Sequence, residues 1–276
     1  MILVLGSSGL LGNALIRMLE DCNLNYVGTS RESTISLNQS CLISVKDLMD
    51  NKELEALIKD LKPTAVINCL SLAAQMRAKN IWLDYLRLYS VLPRVLDMLS
   101  LKYDFKYIHI SSDGVFDGLK GDYKEDSYTN AKDIYGISKI LGEPSLPNSS
   151  CIRTSLYGHS LNKDFGIIDW VLRQSKCEGF SNYFFTGMST LKLSEIIINS
   201  FIKEDNFGLF HLGGEVISKH DLLSKVVDIY GHKCRISKKD DPIINLSLNQ
   251  DRFETVIGKK YFNHDTMLKE LYVQYS

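Results

Sequence analysis

The chain has 276 residues, of which 32 are basic and 33 acidic, so its formal net charge at pH 7 is −1. Hydrophobic residues make up 45% of the sequence and charged residues 24%, which excludes a disordered chain and supplies material for a sizeable core. The near-neutral balance, without long basic runs, argues against nucleic acid and membrane surfaces as partners. A small-molecule substrate is therefore expected.

The amino terminus and the cysteines bear on location and metal binding. Met1–Gly6 lacks the basic region, apolar stretch and cleavage site of a secretory signal, and no later run has bilayer-spanning length. A cytoplasmic location is therefore expected. The six cysteines include no C-x-x-C pair and no histidine at metal-ligand spacing, so reduced thiols and no metal site are predicted.

Short apolar runs alternate with amphipathic stretches through the first half of the chain. The runs predicted as strands are Ile2–Leu5, Tyr26–Thr29, Ala65–Leu70 and Tyr107–Ser111. Apolar residues recur every three or four positions in 10–19 and 54–61, which predicts helices. Strands that are apolar throughout indicate a sheet covered on both faces, so the predicted fold class is α/β, a Rossmann-like doubly wound parallel sheet.

After about residue 150 the pattern is less regular. The predicted elements there are an extended segment at 151–156, a strand at 209–212, and helices at 165–174, 190–201 and 219–230. We expect residues 1–150 to form a dinucleotide-binding domain. Residues 151–276 are expected to form mainly a smaller, partly interleaved substrate lobe, with a segment at about 186–206 returning to the first domain.

A glycine-rich turn, Gly6-Ser7-Ser8-Gly9-Leu10-Leu11-Gly12, joins the first strand to the first helix. Its glycines permit, in order, a tight turn, a close approach of the backbone to a pyrophosphate, and close packing of the helix on the strand. The helix amino terminus then offers free N–H groups to phosphate. The turn therefore predicts dinucleotide binding, and a glycine turn without a ligand is the alternative.

The end of the second strand bears on which nicotinamide dinucleotide binds. Gly28-Thr29-Ser30-Arg31 has no carboxylate for a ribose 2′-hydroxyl. Ser30 and Arg31 can instead hold a 2′-phosphate, so NADP(H) is favoured over NAD(H), with a solvated surface arginine as the alternative. Asp47 is a candidate partner for the adenine amino group, although a helix N-cap is equally compatible with it.

Two Tyr-x-x-x-Lys pairs occur, Tyr128/Lys132 and Tyr135/Lys139. Apolar residues after Tyr135 predict an amphipathic helix that carries the second pair on one face, whereas the first pair follows a polar stretch and is predicted as loop. A neighbouring ammonium favours the phenolate and brings the pKa of a tyrosine toward the working range. A surface i,i+4 pair is the alternative for Tyr135 and Lys139.

Together these motifs resemble the extended short-chain dehydrogenase/reductase family, and within it the branch similar to dTDP-4-dehydrorhamnose reductase. The resemblance covers nearly the whole chain. The segments that carry it are Gly6–Gly12, Val66–Cys69, Ser111–Gly118, Tyr135–Lys139, Arg153–Gly158, Thr186–Thr190 and Gly208–Gly214.

The resemblance implies a role for several residues. Tyr135 would donate a proton to the C4 carbonyl oxygen of a 4-keto-6-deoxyhexose, and Lys139 would bind the nicotinamide ribose and hold the pKa of Tyr135 down. Ser112 would orient the carbonyl oxygen, and Asp113 would contact the sugar. The further cofactor-binding residues implied are Gly6, Ser8, Gly9, Leu10, Leu11, Gly12, Leu48, Cys69 and Ser71, and the further substrate-binding residues are Phe116 and Arg153.

Four departures from the family pattern bear on the sugar and nucleotide rather than on the dinucleotide. Arg87 aligns where the family usually has Asn, and Gly114 stands in place of a Tyr. Ala131 replaces a Pro, and Pro242-Ile243 replaces a late Arg-Pro.

The leading hypothesis is an NADPH-dependent reductase of a nucleotide-activated 4-keto-6-deoxyhexose that serves deoxysugar synthesis for surface polysaccharide. An epimerase or dehydratase on the same fold is a second enzyme hypothesis. The alternative from a different class is a non-catalytic, NADP(H)-binding regulatory subunit, against which the presence of Ser112, Tyr135 and Lys139 argues. Members of this fold often dimerise, so a homodimer is one expected assembly.

Overall fold

A computed structural model describes residues 1–30, 42–45, 48–72, 82–161, 166–258 and 262–275. Its largest element is a seven-stranded sheet made of Ile2–Leu5 (β1), Tyr26–Ser30 (β2), Leu42–Ser44 (β3), Ala65–Asn68 (β4), Lys106–Ile110 (β5), Ser149–Arg153 (β6) and Gly208–His211 (β11). The strands follow the order β11-β6-β5-β4-β1-β2-β3, and every neighbouring pair is parallel.

Both faces of this sheet are covered, as a parallel sheet requires. Along β1, Leu3 and Leu5 belong to one hydrophobic core, whereas Ile2 and Val4 belong to the core on the opposite face. All four side chains are buried because helices pack on each side of the sheet. The predicted α/β class with a doubly wound parallel sheet is confirmed.

The helices connect these strands and extend into the second half of the chain. They are Leu10–Asp21 (α1), Asn51–Leu61 (α2), Trp82–Leu86 (α3), Leu92–Tyr103 (α4), Ile134–Gly142 (α5), Ile167–Val171 (α6), Thr190–Ile196 (α7), Lys219–Ile229 (α8), Asp251–Ile257 (α9) and His264–Tyr275 (α10). A π-helical segment, Arg87–Val91, joins α3 to α4 and is called the π turn below. Within the described ranges, no helix combines the length and apolar character needed to cross a bilayer.

The remaining strands belong mostly to the lobe that faces the carboxyl edge of the main sheet. They are Ser155–Tyr157 (β7), Lys176–Phe180 (β8), Tyr183–Phe185 (β9), Gly187–Ser189 (β10), Ile217–Ser218 (β12), Arg235–Lys239 (β13) and Ile244–Asn245 (β14). β9 pairs with β12 and β14, and β8 pairs with β13. Helix α8 packs against both of these small sheets.

The chain crosses between the main sheet and this lobe more than once after residue 150. β11 returns to pair with β6, and α7 packs against α1. The division into domains at residue 150 stays a prediction, and these crossings are compatible with the expected interleaving.

Most predicted elements of the first half are confirmed within one or two residues. In the second half, the extended segment at 151–156 is two strands, β6 and β7, separated at Thr154. Residue 165 of the helix expected at 165–174 lies outside the described residues, and over 166–174 the helix covers Ile167–Val171. The helix expected at 190–201 continues from α7 as the π-helical segment Ile197–Ile202. The small strands of the lobe and the last two helices carry no clear periodic signal and were not predicted.

The strand order determines where a ligand site forms. β1 and β4 are neighbours, and the chain continues from β1 to β2 on one side and from β4 to β5 on the other, so a crevice opens between the carboxyl ends of β1 and β4. Gly6 follows β1, Cys69 follows β4 and Ser111 follows β5. The motif residues therefore meet at one edge of the sheet.

Candidate active site

The turn after β1 has a backbone that requires glycine. Gly6 adopts a φ of +81°, and a Cβ on Gly12 would lie 2.1 Å from the carbonyl oxygen of Gly6. The turn is tied to β2 because the Ser7 hydroxyl donates to the Thr29 carbonyl at 2.8 Å. These contacts hold the amino end of α1 directly above the carboxyl end of β1.

The amino end of α1 is open toward a ligand. Its N-cap is Gly9, and among the described residues no side chain caps this end or places a carboxylate in its first turn. Side chains do cap the amino ends of other helices, namely Asp50, Asp133, Ser189 and Ser218. The uncapped N–H groups of α1 therefore fit the pyrophosphate of a dinucleotide.

The other residues expected to contact the cofactor have different environments. Ser8 is exposed, Leu10 is half-buried and Leu11 is buried in the core. Ser30 is buried at the end of β2, Leu48 is half-buried before α2, and Cys69 and Ser71 follow β4. Arg31 and Asp47 lie outside the described residues.

Helix α5 brings Tyr135 and Lys139 to the carboxyl edge of β5. Lys139 is buried, and its Nζ donates to the carbonyl oxygen of Ile110 at 2.8 Å. Its charge also reaches Cys69: burial raises the pKa of that thiol to about 12, and the ammonium opposes the shift. Tyr128, of the other Tyr-x-x-x-Lys pair, is 86% exposed in a non-helical segment.

Ser112 and Tyr135 both lie close to Gly114. A Cβ on Gly114 would be 3.3 Å from Ser112 Oγ and 3.2 Å from Tyr135 Cε1. The Ser112 hydroxyl accepts a hydrogen bond from the Gly114 amide at 3.0 Å and donates one to Asp113 at 3.1 Å. A side chain at position 114 would occupy space next to the tyrosine ring, so the glycine leaves that space open.

A cavity of about 330 Å³ opens beside these residues. Ser112, Asp113, Phe116 and Tyr135 line it, so the structure brings together four of the residues expected from the sequence. The lobe of small strands closes the other side with residues that sequence reasoning missed. The remaining lining residues are Gly114, Asp117, Leu119, Lys132, Asp133, Tyr183, Ile244 and Leu246.

Arg153 lies outside the cavity lining that the described residues form. Its guanidinium makes two hydrogen bonds of 2.7 Å to Glu143, which also accepts from the Ser111 hydroxyl at 2.8 Å. The guanidinium carbon is 5.2 Å from the centre of the Phe116 ring. Arg153 therefore braces Phe116 and the end of β5 from behind.

Asp113 is a buried acid that faces the lobe of small strands. Burial raises its pKa to about 6, against the opposing effects of the Ser112 hydroxyl and the charge of Lys219. Lys219 lies at the start of α8, with its Nζ 3.6 Å from the centre of the Tyr183 ring. In the described part of the chain, no group of three or more His, Cys, Asp or Glu side chains could hold a metal ion.

The fold and site define an α/β protein of the short-chain dehydrogenase/reductase class, with an open glycine turn and a Ser, Tyr and Lys set at the carboxyl edge of the sheet. The family model "RmlD substrate binding domain" matches residues 1–243, and the chain belongs to this family.

Known proteins show the same relationship. The chain is 27% identical to a dTDP-4-dehydrorhamnose reductase of Aggregatibacter actinomycetemcomitans over 82% of this chain and 78% of that protein. It is 32% identical to methionine adenosyltransferase 2 subunit beta of Xenopus laevis, over 51% of this chain and 41% of that protein. The crystal structure of a Bacillus anthracis dTDP-4-dehydrorhamnose reductase in complex with NADP superimposes with a TM-score of 0.83 at 16% identity, covering 99% of this chain and 98% of that one.

The buried carboxylate of Asp113 predicts an unusual dependence of stability on pH. Because its folded-state pKa is raised to about 6, the folded protein favours the neutral carboxylic acid. The contribution of Asp113 to stability is therefore fully present below pH 4 and is lost as pH rises through about 6, where the buried group ionises. Asp113→Asn should therefore raise the free energy of unfolding at pH 8 by up to about 3 kcal/mol, and by less at pH 5. Urea unfolding at the two pH values measures this difference.

Asp117 supplies the matched control, since it lines the same cavity and its pKa is lowered, chiefly by the Leu119 amide. Its stabilising effect is present at neutral pH and is lost as pH falls through its lowered pKa. Asp117→Asn should therefore destabilise the protein at pH 8. If both variants changed stability in the same direction at pH 8, burial would not be the dominant influence on Asp113.

Proposed function

We propose that this protein is an NADPH-dependent reductase of a nucleotide-activated 4-keto-6-deoxyhexose, acting in deoxysugar synthesis for surface polysaccharide. The observation that carries the proposal is the position of Tyr135 and Ser112 on one cavity wall, with the buried Lys139 one helical turn beyond Tyr135. The reductases among its relatives support the substrate class. A cytoplasmic location goes with this proposal.

Different residues of the chain have different roles in such a reduction. When bound, the reduced nicotinamide supplies a hydride to the carbonyl carbon. Tyr135 donates the proton that the carbonyl oxygen needs, and the resulting phenolate is favoured by the Lys139 ammonium and regains its proton from solvent. Ser112 orients the carbonyl oxygen, and Asp113 accepts hydrogen bonds from sugar hydroxyls.

The pyrophosphate of the cofactor would be held by the turn from Gly6 to Gly12, whose close backbone contacts fit it. NADP(H) is the proposed cofactor, since Ser30 and Arg31 offer a hydroxyl and a guanidinium where an NAD-binding protein carries a carboxylate. The NADP bound to the B. anthracis relative supports this choice.

Arg31→Ala tests the cofactor preference. Loss of a charge-assisted contact to the 2′-phosphate should weaken NADPH binding about tenfold or more and leave NADH binding unchanged. Fluorescence titration of the wild type and the variant with both nucleotides measures this. Equal weakening for the two nucleotides would show that Arg31 does not read the 2′-phosphate.

Tyr135→Phe tests the reaction itself. We expect the wild type to oxidise NADPH, followed at 340 nm, with at least one member of a panel of dTDP-linked 4-keto-6-deoxy sugars and UDP-linked 4-keto N-acetyl sugars. The variant should lose at least about 100-fold in kcat because the proton donor is gone, with its NADPH affinity within about twofold of wild type. Tyr128→Phe, which alters the exposed tyrosine of the other pair, is the control and should keep full activity.

The result also separates the alternatives. Retained activity in Tyr135→Phe would reject this residue as the proton donor, and interconversion of sugars without net NADPH consumption would favour an epimerase. Tight NADPH binding with no turnover across the panel would favour the hypothesis of a non-catalytic subunit of another enzyme, and the X. laevis relative is named as a subunit of an adenosyltransferase.

A homodimer is the proposed assembly. Exposed apolar side chains lie on the neighbouring helices α3, α4 and α5, among them Trp82, Met98, Ile137 and Leu141. Burying them against a second copy would remove this surface from water. Light scattering on the purified protein should give twice the chain mass of 31.3 kDa, and a monomer mass would reject the proposal.

A further inference from the structure

Tyr89 lies between the two halves of the proposed active site. It belongs to the π turn, where the helical hydrogen-bond pattern widens by one residue, an irregularity that often marks functional positions. Its side chain is 1% exposed although one end of it is polar. The hydroxyl reaches the loop after β4, and the ring faces helix α5.

The hydroxyl of Tyr89 holds the loop that follows β4. The Leu72 amide donates to the Tyr89 hydroxyl at 2.8 Å, and the Ser71 hydroxyl lies 3.1 Å from the same oxygen. Cys69 and Ser71 in this loop are proposed cofactor contacts. The Tyr89 hydroxyl therefore holds the backbone at Leu72 in place, on the side of the site proposed to bind the cofactor.

The ring of Tyr89 contacts the catalytic pair. Lys139 Nζ lies 4.6 Å from the ring centre, within the range of a cation–π interaction. The Tyr135 ring meets it edge-on, with centroids 5.4 Å apart and an interplanar angle of 88°. One aromatic ring thus supports both the proposed proton donor and the ammonium behind it.

Tight packing between the π turn and α5 holds Tyr89 in place. A Cβ on Gly142 would lie 1.8 Å from the Tyr89 carbonyl oxygen, so only glycine permits this approach. The neighbouring Ser90 hydroxyl donates to the Ser138 carbonyl at 2.8 Å. Arg87, which aligns where the family usually has Asn, belongs to the same π turn but is exposed, whereas Tyr89 is buried.

We propose that Tyr89 is a positioning residue that couples the cofactor loop to the catalytic pair. Its hydroxyl orders Ser71 and Leu72 for the nicotinamide cofactor, and its ring fixes Lys139 and Tyr135 for proton transfer. This inference rests on the proposed function. A tyrosine that served only as core packing would affect stability without separating cofactor affinity from kcat.

Tyr89→Phe tests the hydroxyl because it keeps the ring. With two hydrogen bonds to the loop lost, the Kd for NADPH should rise about three- to tenfold while kcat stays within about twofold of wild type. Tyr103→Phe is the matched control: it removes the same group at the end of α4, where the hydroxyl donates to Glu55 at 2.7 Å. The control should leave the Kd for NADPH unchanged.

Tyr89→Leu tests the ring. Loss of the aromatic face should lower kcat about tenfold or more, in addition to the rise in Kd, because Lys139 and Tyr135 lose a fixed neighbour. Fluorescence titration gives the Kd, steady-state kinetics gives kcat, and thermal unfolding shows whether each variant is folded. If Tyr89→Leu does not fold, the comparison of Tyr89→Phe with Tyr103→Phe still decides the hydroxyl's role.

Two results would overturn the inference. One is a Kd for NADPH in Tyr89→Phe equal to that of wild type or of Tyr103→Phe, and the other is an unchanged kcat in folded Tyr89→Leu. A wild type that binds NADPH but turns over no sugar would instead reject the proposed function. In that case the NADPH affinities still test the hydroxyl's role on their own.

Discussion

The buried ammonium group of Lys139 constrains the architecture of the whole site. A charged group removed from water costs several kcal/mol unless the protein replaces its hydration. Here the replacement is the carbonyl oxygen of Ile110, the last residue of β5, together with the face of the Tyr89 ring. Because the carbonyl oxygen belongs to the sheet and the ring belongs to the π turn, α5 must pack against both.

Two glycines in α5, Gly136 and Gly142, make that arrangement sterically possible. A Cβ on Gly136 would lie 2.2 Å from the Gly114 carbonyl oxygen, and one on Gly142 would lie 1.8 Å from that of Tyr89. Helix α5 therefore contacts the backbone of Gly114 near its start and the π turn near its end. Tyr135 immediately precedes the first of these contacts, and its ring packs edge-on against the Tyr89 ring, which restricts its motion.

The two sides of the site have different electrostatic character. At the glycine turn, uncapped amide groups of α1 favour an anion. At the cavity wall, burial raises the pKa of Asp113, and burial also lowers the pKa of Lys219, which lies against the lining residue Tyr183, so each is shifted toward its neutral form. Groups that are held against their preferred ionisation are characteristic of sites where polar ligands bind.

Local patterns in the sequence predicted the sheet, the first helices and the helix that carries Tyr135 and Lys139. The glycine spacing from Gly6 to Gly12 and the apolar residues around Tyr135 and Lys139 are features of short segments, so they are legible without the rest of the molecule. The assignment of Arg153 to the substrate came from the family resemblance rather than from a local pattern, and it stays a prediction. The pairing of Arg153 with Glu143 depends on how β6 meets the end of α5, and no local pattern contains that information.

By itself, the sequence determined the parallel α/β fold, the glycine-rich turn after β1 and the helix that carries Tyr135 and Lys139, since helical periodicity and glycine spacing act between neighbouring residues. Only the tertiary structure decided that Tyr89 rather than Arg87 faces the pair, because a π turn changes the helical register and so changes which side chain points inward. It likewise decided that Tyr183 and Ile244 close the cavity. They line the same cavity as Ser112 because the lobe packs against the sheet edge, and residues so distant in the chain leave no shared periodic signal.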